Sequence, residues 1–335
     1  MKPTPKTLVL ITATLLFCAN LAHGLDTAPI GFASINDLGQ NGTTGGAGGP
    51  IVTVTTADEL DHYANQNTPY IIQIAGNISL YSLNIRDDKT LVGIGPNAIV
   101  SGMLTVDHHK NIIIRNLNLH GSQYNALKIT DGSHHVWLDH CDLMDANDDL
   151  VEIIKGSDDV TVSWCRFHYS SPHEHVLAMW IGSDDGRTSD RGKLHVTLHH
   201  NWWAENIAER MPGARYGNVH IFNDYFTSSG NNFCVRARVA AQILVQNSYF
   251  AHVNNPLVIL HGDAETRLNL PSGSIQSQDN VFEQTTGSQD ASGVVFTPPY
   301  AWTPDKASDV PTLVPAGAGP QAYNAEKPTE VATDD

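Results

Sequence analysis

The most regular feature of the chain is an eight-residue pattern with apolar residues at its first, third and eighth places. It occurs seven times, starting at Ile112, Val136, Val160, Val196, Val219, Ile243 and, more loosely, Ile275. The starts are 24, 24, 36, 23, 24 and 32 residues apart, so a unit of about two dozen residues recurs, with insertions in the third and last intervals. The pattern is typical of a short strand followed, after a bend, by a second apolar residue, and one unit alone leaves its inner face uncovered. The repeat therefore predicts an all-β fold of stacked coils, a parallel β-helix.

The sixth place of the pattern lies at the inferred bend and holds mostly small or polar residues. Its members are Leu117, Cys141, Cys165, Asn201, Asp224, Ser248 and Asn280. Side-chain hydrogen bonds between stacked coils are expected to satisfy the polar members of this column. Cys141 and Cys165 occupy consecutive coils, about 4.8 Å apart by strand spacing. That separation allows a disulfide, and two stacked buried thiols are the alternative.

Both ends of the chain depart from the repeat. Residues 1–24 combine two lysines, an apolar run and a small-residue ending, which is typical of a cleaved secretory signal peptide and predicts a secreted, extracellular protein. The segment TTADELDHYANQ begins with a Thr/Asp capping signal and predicts one short N-terminal helix that caps the solenoid. We expect a single β-helix domain over residues 25–314. Residues 315–335 are expected to form an extended or disordered C-terminal tail.

The charge of the chain limits its partners. The 335 residues carry a formal net charge of −16, which becomes −18 once the two leader lysines are removed. A strongly acidic protein without a basic stripe is a poor match for nucleic acid. The leader is too short to span a bilayer, and no later segment is apolar enough, so no membrane partner is expected either. We expect a monomer that needs local cations to bind an acidic polymer.

An acidic cluster follows the second repeat, in the segment DANDDLVEI. Asp148 and Glu152 share one face if the segment is a strand, because alternate strand residues point to the same side. Carboxylate oxygens at this spacing suit Ca²⁺ better than a transition metal. A solvated acidic turn is the alternative interpretation. The 17 histidines show no spacing that places two on one helix face, so a histidine metal site is not predicted.

Two arginines, Arg210 and Arg215, flank a Pro-Gly turn. Guanidinium groups recognise carboxylates through paired hydrogen bonds, although a structural pair bonded to Glu205 or Glu209 would also explain them. Counting back from the repeat starts gives four roughly equivalent positions on consecutive coils: Lys128, Glu152, Trp180 and Arg215. Stacking would gather acids and arginines on one wall. Trp180 is also a candidate for stacking on a sugar ring, whereas the eighth-place Trp203 is expected to pack in the core.

Five segments, in the same order, resemble the pectate and pectin lyases of polysaccharide lyase family 1. They are GFAS with TTGGAGG, VWLDHC, VEIIKGSDDVTVSWCRF, VTLHHNWW and RMPGARYGNVHIFNDYF. The resemblance runs from about Gly31 to Phe282. It implies a right-handed parallel β-helix and β-elimination of α-1,4-linked galacturonan, usually with Ca²⁺.

Residue by residue, the resemblance assigns four roles. Arg210 falls on the family's catalytic arginine, the proposed base, and Arg215 on the second, substrate-binding arginine. Asp148 and Glu152 match two acidic calcium ligands, with Glu152 in place of the more usual Asp. Lys128 joins the substrate-binding candidates through its place on the same wall.

Three departures from the family pattern reduce the charge of the site. Asn125 stands where the family usually has a calcium-binding Asp, in an alignment that needs one extra residue, and it can offer only a neutral carbonyl oxygen. A second upstream Asp appears here as Gln123 or Tyr124. Leu177 stands where a substrate-binding lysine is expected.

Together these features predict a secreted pectate lyase that cleaves galacturonan to 4,5-unsaturated products with Ca²⁺. The departures keep a metal-independent pectin lyase, acting on methyl-esterified polymer, as the close alternative. A polygalacturonase-like hydrolase would need a pair of carboxyl groups, for which Asp148 and Asp149 are the only tempting pair. A non-catalytic polysaccharide-binding β-helix is the remaining alternative.

Overall fold

The computed structural model describes residues 27–323 and 325–329. They form a right-handed parallel β-helix. The seven predicted repeat starts pair with one another in register on successive coils, which confirms the repeat: Ile112, Val136, Val160, Val196, Val219, Ile243 and Ile275. The predicted signal peptide, residues 1–24, lies outside the described residues.

Ten parallel strands form what we call the first sheet, and the last seven of them carry the repeat starts. They are Ile51–Val54, Tyr70–Ile74, Lys89–Gly93, Lys110–Arg115, His134–Asp139, Asp158–Ser163, His195–His199, Asn218–Phe222, Gln242–Gln246 and Ser274–Gln278.

Two further rows of short strands complete each coil. The second sheet consists of Leu127–Thr130, Val151–Ile153, Met179–Ile181, Gly213–Ala214, Val235–Ala237 and Leu257–Ile259. The third sheet consists of Asn118–His120, Asp142–Met144, Arg166–His168, Trp202–Trp203, Tyr225–Phe226, Tyr249–Ala251 and Val281–Glu283. The long strand Ile99–Asp107 pairs with the first strand of both rows and with Asn77–Asn84. A short antiparallel pair, Asn36–Asp37 with Gln40–Asn41, precedes the coils.

The bend between the first and third sheets repeats one backbone conformation. The fifth-place residues all have φ between 46° and 58°: Asn116, His140, Trp164, His200, Asn223, Asn247 and Asp279. Most are Asn, Asp or His, the non-glycine residues that adopt this left-handed region most readily.

The sixth-place column forms the predicted ladder of side-chain hydrogen bonds. The backbone N–H of Cys165 donates to Asn201 Oδ1 at 3.0 Å, and that of Asn201 donates to Asp224 Oδ1 at 2.8 Å. The N–H of Asp224 donates to Ser248 Oγ at 3.2 Å, and that of Ser248 donates to Asn280 Oδ1 at 2.9 Å. The prediction is confirmed for the polar members of the column, and the ladder joins the bends from Cys165 to Asn280.

The cysteines of the column are unbonded. Cys141 and Cys165 are both free and buried, as is Cys234. The backbone N–H of Cys141 approaches Cys165 Sγ at 3.5 Å. Of the two alternatives for this pair, the structure shows the stacked thiols.

Aromatic residues at the eighth place stack inside the solenoid. Ring centroids lie 4.5 Å apart for Phe167 and Trp203, 5.9 Å for Trp203 and Phe226, 4.2 Å for Phe226 and Phe250, and 5.0 Å for Phe250 and Phe282. Trp203 is fully buried, which confirms its assignment to the core. Such stacked pairs stabilise the coil interface beyond the burial of their area.

The predicted N-terminal helix is present as Ala57–Ala64. Thr56 accepts a hydrogen bond from the Glu59 backbone, and Glu59 returns one to the Thr56 backbone, so the capping box is complete. The expectation of only one helix is wrong, because Asp263–Leu268 and Val310–Gly317 are also helical. Short 3₁₀ turns occur at Phe32–Ser34, Thr188–Asp190 and Ala307–Asp309. None of the helices that the described residues form is long and apolar enough to cross a bilayer.

The helix Val310–Gly317 escaped prediction because it contains Pro311 and Pro315, which usually interrupt helices. Val310 and Val314, one turn apart, are fully buried, so tertiary packing stabilises it. The described residues beyond it run extended along the coils. The N–H of Gln321 donates to Asn116 Oδ1 at 2.6 Å, for example. The predicted end of the lyase domain, residue 314, falls inside this helix. The domain limits stay a prediction.

Candidate active site

The second sheet places most of the predicted wall on one row of paired residues. Lys128 pairs with Glu152, Glu152 with Trp180, Trp180 with Gly213, and Gly213 with Arg236. The predicted row is therefore right for its first three members.

The fourth member of the row was wrong, because Gly213 and not Arg215 pairs with Trp180. The turn from the second sheet to the next repeat start is two residues shorter on this coil than on the coil of Glu152. Counting back from the repeat start therefore does not give the residue that pairs with Trp180. Arg215 follows the short strand Gly213–Ala214 directly.

Trp180 nevertheless brings both predicted arginines together. The guanidinium carbon of Arg210 lies 4.5 Å from the centre of its ring, and that of Arg215 lies 4.2 Å away. Cations over an indole face are attracted by its quadrupole. A Cβ at Gly213 would lie 2.3 Å from the indole, so only glycine lets the ring lie across the next coil.

Arg210 is held by a buried carboxylate. Its Nη1 lies 2.6 Å from Asp149 Oδ2, and the Asp149 side chain is 1% exposed. Burial raises the pKa of Asp149 to about 7; Arg210 opposes this rise, and the charges of Asp148 and Glu152 add to it. Among the described residues, Asp149 Oδ1 has no hydrogen-bond partner. Arg210 itself has φ of 67°, so its backbone sits in the left-handed region.

Arg215 shares a carboxylate with a second arginine. Arg215 Nε lies 2.5 Å from Asp185 Oδ1, and Arg238 Nη2 lies 2.6 Å from Asp185 Oδ2. Burial lowers the pKa of Arg215, although Asp185 favours its charged form. Glu205 pairs with Arg166 at 2.9 Å instead, so it is not the partner of either predicted arginine.

Three residues of this neighbourhood were missed from the sequence: Asp185, Arg236 and Arg238. Asp149 was considered only as one of a pair of hydrolase carboxyl groups. Arg236 lies seven residues before the repeat start Ile243, whereas Lys128 lies eight before Val136, so the same counting points to Val235 and misses Arg236 by one residue. Asp185 lies in the 36-residue interval, where no period indicates which coil a residue faces.

The acidic side of the wall contains the predicted metal-ligand candidates. Lys128 Nζ lies 2.8 Å from Glu152 Oε2. Asp148 is exposed, and within the described residues its carboxylate makes no hydrogen bond or ion pair. Asn125 is 3% exposed, and its Nδ2 donates to the backbone oxygen of Asp149 at 3.1 Å, so its amide oxygen is the atom it can offer.

This donor set fits a hard cation. Asp148, Glu152 and Asn125 supply only oxygen donors, which are the ligands that Ca²⁺ takes in proteins. The charges of Asp148 and Glu152 contribute to the raised pKa of Asp149, and among the described residues Asp149 Oδ1 is a buried oxygen without a donor. The Lys128 ammonium, 2.8 Å from Glu152 Oε2, would compete with a metal ion for that carboxylate.

Comparison with known proteins agrees with this geometry. A sequence model of a family described as pectate lyase matches residues 5–302. A pectate trisaccharide-lyase of Thermotoga sp. (strain RQ2) is 32% identical over 349 residues, covering 93% of this chain and 94% of the relative. A pectate lyase of Emericella nidulans is 36% identical over 237 residues, covering 67% of this chain and 69% of the relative.

A solved structure shares the fold over almost its full length. The pectate lyase of Bacillus sp. N165 in complex with trigalacturonate superposes with a TM-score of 0.76 at 27% identity, covering 87% of this chain and 98% of that one. The chain therefore belongs to the pectate lyase family and is a polysaccharide lyase.

Proposed function

We propose that the protein is a secreted pectate lyase, which cleaves α-1,4-galacturonan by Ca²⁺-assisted β-elimination to 4,5-unsaturated oligogalacturonides. The observation that carries the proposal is the stacking of Arg210 and Arg215 on Trp180, beside the carboxylates of the second sheet. Two guanidinium groups next to an acidic cluster suit a substrate that carries one carboxylate on each sugar. The names of the relatives and the trigalacturonate bound to the solved neighbour support the same substrate class.

In β-elimination a base takes the proton on C5, the carbon next to the uronate carboxyl group. The C4–O bond then breaks, a C4–C5 double bond forms, and the leaving oxygen takes up a proton. We assign the base to Arg210, which its bond to Asp149 holds in one orientation. A guanidinium cation has no free electron pair, so proton abstraction by Arg210 requires its neutral form.

The other residues bind and orient the polymer. Arg215 is directed by Asp185 and would bind a substrate carboxylate through paired hydrogen bonds. Lys128 lies on the same row of the second sheet, and its ammonium group would attract the carboxylate of a second sugar unit. Asp148, Glu152 and Asn125 would hold the calcium ion. When bound, Ca²⁺ neutralises the uronate charge and so stabilises the enolate-like state that develops on proton loss.

A metal-independent pectin lyase is the second candidate, and one contact favours it. The ammonium of Lys128 already neutralises Glu152 at 2.8 Å, and Asn125 adds no charge to the ligand set. A methyl-esterified substrate has no carboxylate charge to neutralise, so it would need no metal ion.

Calcium dependence separates the two candidates. The ultraviolet absorbance of the unsaturated product is measured on polygalacturonate and on highly esterified pectin, each with added Ca²⁺ and with EDTA. We expect turnover of polygalacturonate that EDTA abolishes and Ca²⁺ restores. Turnover confined to esterified pectin and unchanged by EDTA would select the pectin lyase, and reducing ends without absorbance would indicate hydrolysis.

Replacement of Arg210 tests the proposed base. We expect Arg210→Ala to lower kcat by about 100-fold or more, the usual contribution of a general base. Arg166→Ala is the matched control, because Arg166 lies 4.9 Å over the ring of Trp202 and pairs with Glu205, on the third sheet. Equal losses in the two variants would contradict a catalytic role for Arg210.

Export through residues 1–24, the monomeric state and the absence of nucleic-acid and membrane partners stay predictions. Size-exclusion chromatography with light scattering, together with the N-terminal sequence of the secreted product, would test the first two.

A further inference from the structure

A second group of ligand-type side chains lies on the first sheet, away from the wall of the second sheet. Asp158 and Asp159 begin the strand Asp158–Ser163, and His195 begins the strand of the next coil. One donor atom from each of the three lies within 4.8 Å of the others. The Nδ1 of His195 lies 2.7 Å from Asp158 Oδ1.

The repeat explains why these residues meet. His135, Asp159 and His195 each stand one residue before a repeat start, at Val136, Val160 and Val196. Because those starts pair in register, stacking places Asp159 between two imidazoles. The Nδ1 of His135 lies 3.7 Å from Asp159 Oδ2, which is too long for a hydrogen bond.

Asp159 is the independent sign of a missing partner. Its side chain is fully buried, and within the described part of the chain neither carboxylate oxygen has a hydrogen bond. Buried carboxylates are normally paired, hydrogen-bonded or bound to a metal. Asp158 and Asp37 add further negative charge around it, opposed by His195 and Lys193.

The donor chemistry differs from that of the calcium candidates. Imidazole nitrogen combined with carboxylate oxygen suits Zn²⁺ and similar first-row ions, whereas Ca²⁺ takes oxygen alone. Asp37 also lines an open cleft of about 450 Å³ beside the N-terminal segment.

We propose that Asp158, Asp159 and His195 bind a structural first-row transition-metal ion, with His135 as the adjacent fourth ligand. The ion joins the three coils that start at Val136, Val160 and Val196, the last two of which are separated by the 36-residue interval, the longest between repeat starts. A bound metal stabilises the folded chain because the unfolded chain has no such site. This inference is independent of the proposed lyase reaction.

Metal binding is tested on the full chain after chelator treatment and dialysis. Zn²⁺ is titrated by calorimetry in mildly alkaline buffer, with Ca²⁺ present in excess to fill oxygen-only sites. We expect one Zn²⁺ per chain and a rise in Tm on binding. Asp159→Asn and His195→Gln should each weaken binding by about tenfold or more.

Two controls make the result specific. Glu152→Gln changes the calcium candidate and should bind Zn²⁺ as the parent does. Co²⁺ absorption then reports whether nitrogen donors coordinate the ion, and the His195→Gln variant should change that spectrum. We leave Asp158 unchanged, because its Oδ1 accepts the backbone N–H groups of Asp159 and His195.

Absence of Zn²⁺ uptake by the parent would overturn the proposal. Uptake that both variants retain would also overturn it, since the ion would then lie elsewhere. The variants' circular dichroism and Tm without metal show whether they fold, and one folded variant suffices for the comparison.

Discussion

At the scale of single residues, the candidate site depends on groups that hold the reactive side chains. Two contacts position the guanidinium of Arg210: the buried Asp149 lies 2.6 Å away, and the guanidinium lies over the indole of Trp180. Gly213 contributes by having no side chain, because its place on the row is filled by that indole. Neither Asp149 nor Gly213 carries a signal that identifies its partner in the sequence.

Gly213→Ala tests this dependence. The added Cβ would lie 2.3 Å from the Trp180 ring, so the indole must move. Arg210 and Arg215 would then lose their contacts with the face of that ring. We expect kcat/KM to fall by about tenfold or more and the free energy of unfolding to fall by about 2 kcal/mol. Tryptophan fluorescence and urea denaturation report the two structural effects.

Gly262→Ala is the control for that substitution. Gly262 also has an extended backbone, and the nearest atom to its added Cβ is 4.0 Å away. We expect near-parental activity and stability from it. Unchanged activity in Gly213→Ala would show that the position of Trp180 does not matter for turnover.

At the scale of elements, the ladder of the sixth place holds the coils together where the strands bend. Every link joins a backbone N–H of one coil to a side chain of the next, so the polar groups of the bend are satisfied inside the solenoid. The eighth-place aromatic stack adds apolar contact along the same coils. These two columns follow directly from the period of the sequence.

Asn201→Ala should break the ladder at its centre. Asn201 is fully buried, accepts from the N–H of Cys165, and donates to Val162 O and Asp224 Oδ1. Its loss leaves buried groups without partners, and we expect the free energy of unfolding to fall by about 3 kcal/mol. Urea denaturation at constant m-value measures the change.

Asn280→Ala provides a comparison at the last step of the ladder. Asn280 makes the same kind of bonds, to Ser248 and Val245, but it is only half-buried. Water can replace its bonds, so we expect a smaller loss, about 1 kcal/mol. Equal losses at both positions would argue that the hydrogen bonds, and not their burial, set the stability.

At the scale of the whole molecule, the segment after the last coil returns to cover the first sheet. Tyr300 contacts His220 Nδ1 at 2.7 Å and Thr197 Oγ1 at 2.7 Å, and Gln246 Oε1 lies 2.8 Å from His220 Nε2. His220 is thereby fully buried. Burial lowers its pKa to about 4 in the folded protein.

This buried histidine predicts a loss of stability in acid. In the unfolded chain His220 takes up a proton near its ordinary pKa of 6.5, whereas the folded chain resists protonation down to about 4. The unfolding free energy should therefore be unaffected above pH 6.5 by this group and should fall between pH 6.5 and 4. The contribution is at most about 3 kcal/mol.

The pH dependence of chemical denaturation measures this effect, with His220→Gln as the comparison. Glutamine keeps a polar side chain and cannot titrate, so the variant should lose less stability between pH 6.5 and 4 than the parent. Parallel curves for parent and variant would show that other groups, such as the buried His199, account for acid sensitivity.

The chain's own period determined the parts of this protein that repeat. The seven starts, the sixth-place ladder, the aromatic stack and the common row of Lys128, Glu152 and Trp180 all follow from residues about one coil apart. The Thr56 cap follows from a local signal, the pairing of Thr56 with Glu59. Within a regular coil, position in the sequence translates directly into position in the stack. Arg236 lies one residue off that count, and only the strand pairing with Gly213 places it on the row.

Only the tertiary structure decided what lies off that period. The bond of Arg210 to Asp149 joins residues 61 apart, and Asp185 reaches Arg215 from inside an insertion of irregular length. The shorter turn that puts Gly213 in place of Arg215, the free thiols of Cys141 and Cys165, and the helix Val310–Gly317 likewise depend on contacts with distant parts of the chain. Local patterns determine which way a side chain points from its coil. Its contact partner depends on how the insertions fold back onto the stacked coils, and the short-range period of the sequence does not encode that folding.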